Sequence, residues 1–391
     1  MKSTREKLYS MLHTITLEDY QKYLDEEKNG YIKINKHPED ENIVILNYTE
    51  LTTFDKRWNN ETMSARGLIL DLTEAKYNDK IYVLAKPFEK FFNYGENLDY
   101  EKDIDFSNIV SVMEKMDGSL GISYFFNNEI RFATRGSFTS DQAIKATEIW
   151  KEKYSHVDST WFYASAPVTY LVEIVYPENR VVVDYGDKED LIMLGTIYLY
   201  GNQGFLDASY QDVKWEAERL GMPIAPQYTY SLEQMVELKE KIGANEEGWI
   251  IRFGDNKRLK IKGDEYMQVH RIKHGMSEKA KFRAWSEGSL REYIMMLPEE
   301  FRPELEEFES RLDNVKDMLH VMFTSMFSYM KSSFPERKDF ALHVTSSAVA
   351  PEYRKFFFDA FKTGKISESL IREHIYKNYR EYIDVIYLWN K

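Results

Sequence analysis

Glu114-Lys115-Met116-Asp117-Gly118-Ser119 is a short polar turn between two runs of strand-forming residues. The runs, residues 108–114 and 120–126, are rich in β-branched and aromatic side chains, as β-strands are. A lysine in such a turn is most often a solvated charge. The segments on either side of this turn decide whether Lys115 has a chemical role.

The chain around this turn predicts an α+β region followed by a helical one. Between about residues 43 and 262, short apolar runs are bounded by Asn, Asp, Gly or Pro, which indicates strands and turns. Helical patterns interrupt them at residues 140–154, 210–220 and 231–242. After about residue 269, apolar residues recur at three- and four-residue spacing, which predicts helices. We expect the boundary between the two regions within residues 265–285.

Composition excludes several classes of protein. The 391 residues contain no cysteine, which rules out disulfide scaffolds, thiolate zinc sites and cysteine nucleophiles. With 43% hydrophobic residues, the chain has enough apolar surface for packed cores and is not disordered throughout. The polar start is followed by no signal-like apolar run, and the longest apolar stretch, residues 191–200, is about half of a membrane span. We therefore expect a cytoplasmic protein that contacts no membrane.

Two carboxylates follow the turn in strand-like surroundings. Glu173 interrupts the apolar run 169–176, and Glu247 precedes the run 248–251. A carboxylate on a half-exposed strand is often only a solvated group. In a chemical site, the same residues could accept hydrogen bonds from a ribose or bind a metal ion.

The run Arg-Leu-Lys-Ile-Lys at residues 258–262 brings two cations together. Alternation along a strand places Lys260 and Lys262 on one face, where their ammonium groups repel each other unless an anion lies between them. A lysine must be neutral to attack phosphorus, yet its ordinary pKa is about 10.4. Neighbouring cations and burial lower such a pKa. We therefore expect Lys260 and Lys262 both to bind an α-phosphate and to activate Lys115.

Segments on both sides of the turn complete a known pattern. Upstream lie RGLILD at residues 66–71 and KPFEKFFN at 86–93; downstream lie TRGS at 134–137, VEIVYPENRVV at 172–182, EEGW at 246–249 and LKIK at 259–262. In this order they resemble the covalent nucleotidyltransferases, whose nucleophile is the lysine of Lys-x-Asp-Gly. Within them, the chain resembles the RNA ligase 1 group of T-even-type phages, which are ATP-dependent tRNA-repair ligases. The resemblance covers about residues 40–275.

The resemblance implies a fold and a set of partners. Residues 1–270 would form an adenylyltransferase domain with ATP-grasp-like antiparallel sheets and helices, and residues 271–391 would form an all-α domain that selects RNA or tRNA. The cofactors would be ATP and Mg²⁺ or Mn²⁺. The substrates would be RNA ends, as in nicked tRNA, and the enzyme would act as a monomer in the cytoplasm, that of the host cell if a phage encodes it.

The resemblance also implies roles for individual residues. Lys115 would form the lysyl-adenylate, Glu173 would contact the ribose, and Glu247 would serve metal binding or the reaction. The other implied positions are Arg66 and Lys90 for the β- and γ-phosphates, Phe92, Asp117 and Gly118 for the nucleotide pocket, Tyr48 beside the adenine, Lys260 and Lys262 for the α-phosphate, and Arg135 and Tyr266 for catalysis.

Two positions depart from the family pattern. Arg135 stands where the family commonly has lysine, so the charge survives but a planar guanidinium replaces an ammonium. A pair of acidic metal-contacting residues in the family aligns near Arg291 and Glu292, where this chain keeps one acid. A metal contact at Glu292 is therefore a weaker expectation than one at Glu247.

Other interpretations of the sequence stay open. A capping guanylyltransferase or a DNA ligase shares the lysine motif, although these enzymes usually continue with an OB-fold barrel where this chain predicts helices. A non-catalytic RNA-binding relative is a third possibility. The net charge of −13 does not exclude nucleic acid, because residues 252–283 carry ten basic against four acidic residues. We expect this basic strip to bind RNA ends locally.

Overall fold

A computed structural model describes residues 4–155, 167–200, 204–297, 302–346 and 349–388. The chain folds into two compact units, Met1–Met267 and Gln268–Lys391. This division falls within the transition expected at residues 265–285. The functions assigned above to the two regions stay predictions.

The first sheet of the first unit is antiparallel. Its strands, in spatial order, are β1 (Thr14–Ile15), β5 (Ile81–Ala85), β4 (Arg66–Asp71), β3 (Ile43–Tyr48) and β2 (Ile32–Lys36). The inner strands β4 and β5 are almost wholly buried, in agreement with their continuous apolar sequence. The register of β3 against β4 shifts between Leu46 and Asn47, which marks a β-bulge.

Two further sheets carry most of the candidate site. The second contains β12 (Gly204–Asp207), β11 (Asp190–Tyr200), β10 (Val168–Val175), β8 (Ser119–Phe126) and β9 (Glu129–Ala133). The third contains β13 (Gln227–Tyr228), β7 (Ile109–Glu114), β14 (Gly248–Phe253), β15 (Arg258–Lys262) and β6 (Phe92–Asn93). Their described pairings are antiparallel except for β15 with β6.

Local chemistry explains the hairpin that follows the lysine turn. Strands β8 and β9 are joined by Asn127 and Asn128, which have φ of 49° and 64°. Two successive residues with positive φ form the hairpin turn whose twist matches the flanking strands, and asparagine adopts that conformation readily. The hairpin fixes β8 beside β10, so that Ser119 pairs with Ile174 and Leu120 with Glu173.

Short helices cover the sheets of the first unit. They are α1 (Thr4–Tyr9), α2 (Leu17–Lys28), α3 (Glu50–Phe54), α4 (Asn60–Ser64), α5 (Ala75–Asn78), α6 (Leu98–Glu101), α7 (Asp141–Ile149), α8 (Tyr210–Leu220) and α9 (Leu232–Leu238). A π-helical turn, Trp150–Tyr154, continues α7. The helices predicted at 140–154 and 210–220 are confirmed, and the one predicted at 231–242 ends at Leu238.

The described part of the second unit consists of helices. After α10 (Asp264–Gly275), which contains the division between the units, come α11 (Glu278–Glu287), α12 (Leu290–Met296), α13 (Arg302–Ser333), α14 (Arg337–Thr345), α15 (Arg354–Thr363), α16 (Glu368–Lys377) and α17 (Tyr379–Leu388). Phe323 of α13 packs on Phe356 and Phe357 of α15 in the core. The predicted class, antiparallel sheets with helices followed by an all-α region, is confirmed.

The apolar stretch at residues 191–200 lies within β11 and is largely buried, as predicted. In the ranges that the structure describes, each helix is too short or too polar to cross a membrane.

Candidate functional site

A cavity of about 660 Å³ opens in the first unit and is lined by side chains from all three sheets. Seven of the predicted residues lie on its wall: Arg66, Lys115, Gly118, Arg135, Glu173, Lys260 and Lys262. The other predicted residues of this unit lie outside that lining: Tyr48, Lys90, Phe92, Asp117, Glu247 and Tyr266. Three of these, Tyr48, Lys90 and Glu247, contact a wall residue, as described below.

Lys115, Glu247 and Lys262 form one ion-paired group. Lys115 Nζ lies 2.6 Å from Glu247 Oε2, and Lys262 Nζ lies 2.8 Å from Glu247 Oε1. Strand pairing creates the group: the Lys115 N–H donates to the Gly248 carbonyl at 2.8 Å, and Gly248 pairs with Lys262. Glu247 is 3% exposed, so its charge is compensated by the two ammonium groups rather than by water.

Lys260 differs from Lys262 in its surroundings. No carboxylate among the described residues forms an ion pair with Lys260. Burial, together with the charges of Lys90, Lys115 and Lys262, lowers the pKa of Lys260 to about 7. The sequence predicts that both lysines lack a counter-charge until an anion binds. Lys260 fits this prediction, whereas Glu247 supplies the counter-charge of Lys262.

Glu173 faces the same cavity from β10. Burial raises its pKa to about 8, and the nearby carboxylates of Glu247 and Asp117 act in the same direction. The turn beside it needs glycine: a Cβ at Gly118 would lie 2.6 Å from the Ile174 carbonyl oxygen and 3.1 Å from Glu173 Cγ. Gly118 thus lets the lysine turn approach β10 closely.

Asp117 anchors the lysine turn through hydrogen bonds. Its Oδ2 accepts hydrogen bonds from the N–H groups of Val182 and Val183, both at 2.7 Å, and its Oδ1 accepts one from the Tyr266 hydroxyl at 2.8 Å. Burial, with the charges of Glu247 and Asp117, raises the pKa of Tyr266, so its hydroxyl stays protonated. The contacts of Asp117 and Tyr266 hold the turn in place.

Two arginines cover another part of the wall. Arg66 donates to the Phe88 carbonyl at 3.3 Å, and burial lowers its pKa to about 10. Arg135 donates to the Tyr48 hydroxyl at 2.9 Å and lies over the Tyr48 ring. Neither guanidinium forms an ion pair with a described carboxylate. Tyr48 therefore holds Arg135 and does not itself line the cavity.

Lys90 sits in an aromatic pocket. Its Nζ lies 4.4 Å from the centre of the Phe92 ring and 5.3 Å from that of Trp58, and it donates to the Phe91 carbonyl at 3.1 Å. Burial lowers the pKa of Lys90. The charge of Lys90 contributes to the lowered pKa of Lys260, so the two ammonium groups act on the same region of the site.

The two predicted metal contacts lie in different units and have different surroundings. Glu247 is occupied by two lysines, and Glu292 is an exposed residue of α12 in the second unit. Over the described ranges, no three residues of the types His, Cys, Asp and Glu meet in a way that could hold a metal ion. The metal roles of Glu247 and Glu292 stay predictions.

Several wall residues were missed by the sequence reasoning. Arg258 lies on the wall beside Lys260, stacks on Phe88 with 3.9 Å to the ring centre, and pairs with Asp207 at 2.5 Å. Its alternation with Lys260 and Lys262 was a signal for Arg258, but none was visible for Asp207. Asn47 and Gln142 also line the cavity and belong to no quoted motif, whereas Ser137 ends the TRGS segment but was given no role.

The basic strip at residues 252–283 is partly neutralised. Asp207 pairs with Arg252 as well as with Arg258, and Glu247 pairs with Lys262. Within the second unit, Lys281 contacts Glu278 and Arg283 contacts Glu287. The excess of positive charge counted along the sequence therefore overstates the charge that is free to bind phosphates.

Comparison with known proteins places the chain among ligases. The sequence model of the RNA ligase family matches residues 64–272, which is more than half of the chain. The RNA ligase of Rhodothermus phage RM378 is 22% identical over 368 residues, covering 78% of both chains. RNA ligase 1 of bacteriophage TS2126 is 33% identical over 147 residues, covering 34% of this chain and 37% of that protein.

The matches differ in extent. A protein of Thermovibrio ammonificans is 24% identical over 193 residues, and the chain spans about half of its length, 49%. Among solved structures, an archaeal ATP-dependent RNA ligase is 12% identical with a TM-score of 0.43, covering 71% of this chain and 68% of that one. The family match over residues 64–272 includes Lys115, Glu173, Glu247, Lys260 and Lys262, and the chain therefore belongs to the RNA ligase family, in agreement with its resemblance to the RNA ligase 1 group of T-even-type phages.

Proposed function

We propose that the chain is an ATP-dependent RNA ligase that joins 5′-phosphate and 3′-hydroxyl RNA ends through a lysyl-AMP intermediate on Lys115. The observation that carries this proposal is the wall of the cavity: Lys115 in contact with Glu247, beside Lys260, whose ammonium has no carboxylate partner among the described residues. A nucleophile, a proton acceptor and phosphate-binding cations are the groups that nucleotidyl transfer needs.

In the first step, the ammonium of Lys115 gives a proton to Glu247 at the 2.6 Å contact. The free Nζ attacks the α-phosphorus of ATP, the Nζ–P bond forms, and the bond from that phosphorus to the bridging oxygen of pyrophosphate breaks. Arg66 and Lys90 would receive the charge of the departing pyrophosphate. Lys260, with a pKa near 7, would bind the α-phosphate in its protonated form.

In the second step, an oxygen of the RNA 5′-phosphate attacks the same phosphorus, and the Nζ–P bond breaks as Glu247 returns the proton to the leaving Nζ of Lys115. In the third, the 3′-hydroxyl of the other RNA end attacks the 5′-phosphorus, loses its proton, and expels AMP. The protein contributes mainly orientation and charge stabilisation to these transfers. Arg135, held by Tyr48, is available for the RNA phosphate.

The described carboxylates suit a metal ion that arrives with the nucleotide. Mg²⁺ commonly keeps several waters and binds through substrate phosphates and one or two carboxylates. Glu173 and Glu247 could provide such contacts, whereas the described residues contain no all-protein metal cage. When bound, the metal would neutralise charge on the pyrophosphate.

The finer assignments rest on the resemblance alone. They are a broken tRNA as the RNA substrate, a substrate-selecting role for residues 271–391, metal contacts at Glu247 and Glu292, and a cytoplasmic monomer. The tRNA assignment is tested by competition of nicked tRNA with a linear 5′-phosphorylated RNA in one ligation mixture. Equal consumption of both RNAs would contradict it.

The decisive experiment is covalent labelling. Incubation with [α-³²P]ATP and Mg²⁺ should label the full chain, Lys115→Ala should abolish the label, and Lys80→Ala, a change at an exposed lysine, should not. Labelling by GTP in preference to ATP would indicate a capping enzyme. The labelled protein should then join a 5′-phosphorylated oligoribonucleotide, and sealing of nicked DNA alone would indicate a DNA ligase. Labelling that survives in Lys115→Ala would overturn the assignment of the nucleophile.

A further inference from the structure

One residue that lines the cavity, Asn47, has a buried polar atom without a hydrogen-bond partner. Among the described residues, three buried side-chain oxygens lack a hydrogen bond, Glu26 Oε2, Asn47 Oδ1 and Thr196 Oγ1, and of their residues Asn47 alone lines the cavity. Leaving a buried polar atom unsatisfied costs about 1–3 kcal/mol. Such a cost at a cavity wall is offset if a ligand supplies the partner.

A bulge in β4 sets Arg66 opposite Asn47 at this wall. The register of β3 against β4 shifts between Leu46 and Asn47, and this shift sets Asn47 opposite Arg66. Bulges next to active sites commonly redirect a side chain in this way. The extra residue is Gly67 of β4, whose φ is 103°; without it, Asn47 would lie opposite Gly67 instead of Arg66.

The turn at residues 134–137 flanks the amide on its other side. A Cβ at Gly136 would lie 3.4 Å from both the Cβ and Nδ2 of Asn47, so the backbone of the turn packs directly against that side chain. The turn is held in place because the Gly136 carbonyl accepts a hydrogen bond from Asn35 Nδ2 at 2.7 Å. Asn47 is therefore fixed between Arg66 on β4 and the turn that carries Arg135.

The charges around Asn47 indicate what kind of ligand would bind there. Arg66 and Arg135 both line the cavity, and neither is ion-paired with a carboxylate in the described ranges. Two such cations on the wall that also carries a neutral amide favour an anion. The amide can turn about its Cβ–Cγ bond, which exchanges the oxygen and the nitrogen without a change of shape, and so present an N–H to a phosphate oxygen.

We propose that Asn47 is a phosphate-binding residue, which donates a hydrogen bond from its amide to a phosphate oxygen held between Arg66 and Arg135. This inference deepens the proposed function and rests on it. The phosphate belongs either to the polyphosphate of ATP or to the 5′ end of the RNA. Both share the same chemistry, and two arms of one experiment distinguish them.

The experiment measures equilibrium binding by titration calorimetry on the full chain. One arm compares MgATP with adenosine, and the other compares a short RNA with and without its 5′-phosphate. The variants are Asn47→Ala, Asn47→Asp and, as a matched control, Asn42→Ala, which changes an exposed asparagine just before β3. Asn47→Asp keeps the shape of the side chain and adds a charge that the two arginines can stabilise, so this variant should fold.

A phosphate contact predicts a specific order of affinities. Asn47→Ala should weaken binding of the phosphorylated ligand in one arm about tenfold or more, as expected for a lost hydrogen bond to a charged group, and leave its unphosphorylated counterpart unchanged. Asn47→Asp should weaken binding of that phosphorylated ligand further. Its thermal stability should be no lower than that of Asn47→Ala. The arm that responds identifies the source of the phosphate.

Other outcomes overturn the proposal. If both variants bind MgATP and the 5′-phosphorylated RNA as the unchanged chain does, Asn47 contacts no phosphate. If adenosine or the unphosphorylated RNA loses affinity equally, the effect is one of pocket shape. Failure of the proposed function is recognised separately, because the unchanged chain would then bind ligand without becoming labelled by [α-³²P]ATP.

Discussion

Lys115 Nζ and Glu247 Oε2 lie 2.6 Å apart, although 132 residues separate them along the chain. The pair brings the candidate nucleophile into contact with a group that can take its proton. The same carboxylate also holds Lys262. A metal contact by Glu247 would therefore have to replace at least one of these ammonium groups.

Replacement of Glu247 by glutamine should damage both catalysis and stability. We expect labelling by [α-³²P]ATP to slow at least about 100-fold, since Lys115 loses its proton acceptor. We expect the free energy of unfolding to fall by about 3 kcal/mol, because two ammonium groups lose a buried counter-charge. Denaturant unfolding and single-turnover labelling measure the two effects.

The matched control for this prediction is Glu246→Gln, which changes the exposed neighbour of Glu247. It should leave the rate of labelling and the free energy of unfolding unchanged. Full-rate labelling by Glu247→Gln would show that the proton of Lys115 goes elsewhere.

Part of this site could be predicted from the sequence, because some of its residues are close together along the chain. The turn at residues 114–119 follows from the strand-forming runs on either side of it, and the shared face of Lys260 and Lys262 follows from alternation along one strand. The Glu247 contact depends on the register of three strands, β7, β14 and β15, and no local rule supplies that register. Asn47 was missed for a related reason: Gly67 of β4, with φ of 103°, marks the bulge, but its effect on the residue opposite depends on the pairing of two strands.

Glu173→Gln should change how stability depends on pH. The pKa of Glu173 is raised to about 8 in the folded chain, against about 4.3 when unfolded, so between these values the folded state binds more protons. Its contribution to stability is fully present below about pH 4.3 and is lost as the pH rises through 8. A neutral glutamine does not lose stability in this way as the pH rises. The free energy of unfolding of Glu173→Gln should therefore rise relative to that of the unchanged chain.

The difference should reach a few kcal/mol by about pH 8, as measured by denaturant unfolding at pH 5, 6, 7 and 8. Glu178→Gln, at an exposed position that follows β10, provides the comparison and should show no such trend. A pH-independent difference between Glu173→Gln and the unchanged chain would mean that Glu173 is ionised throughout this range.

Gly118→Ala should distort the lysine turn. The added Cβ would lie 2.6 Å from the Ile174 carbonyl oxygen, a backbone atom that β8 and β10 hold in place, so the turn would have to move. We expect the free energy of unfolding to fall by about 1–3 kcal/mol and labelling of Lys115 to be strongly reduced. Gly243→Ala is the control, because its Cβ would meet its nearest atom at 3.7 Å. Equal behaviour of the two alanine variants would contradict the close approach.

Trp58 should matter for ATP affinity through Lys90. Its ring lies 5.3 Å from Lys90 Nζ and 5.4 Å from the Phe92 ring, and its neighbours Arg57 and Asn59 are both held by the buried carboxylate of Glu26. The ring thus fixes the direction of an ammonium that has no described carboxylate partner. Attraction between a cation and an aromatic face contributes about 0.5–2 kcal/mol.

Trp58→Leu should therefore raise the KM for ATP in the labelling reaction by about tenfold, while the maximal rate stays nearly constant because the surroundings of Lys115 are unchanged. Trp58→Phe retains an aromatic face and should recover most of the affinity, which a purely space-filling role would not require. The KM and the maximal rate of both variants are measured by single-turnover labelling at increasing ATP concentration. Equal KM values for the leucine and phenylalanine variants would mean that Trp58 acts by volume alone and that the Phe91 carbonyl and the Phe92 ring are sufficient to orient Lys90.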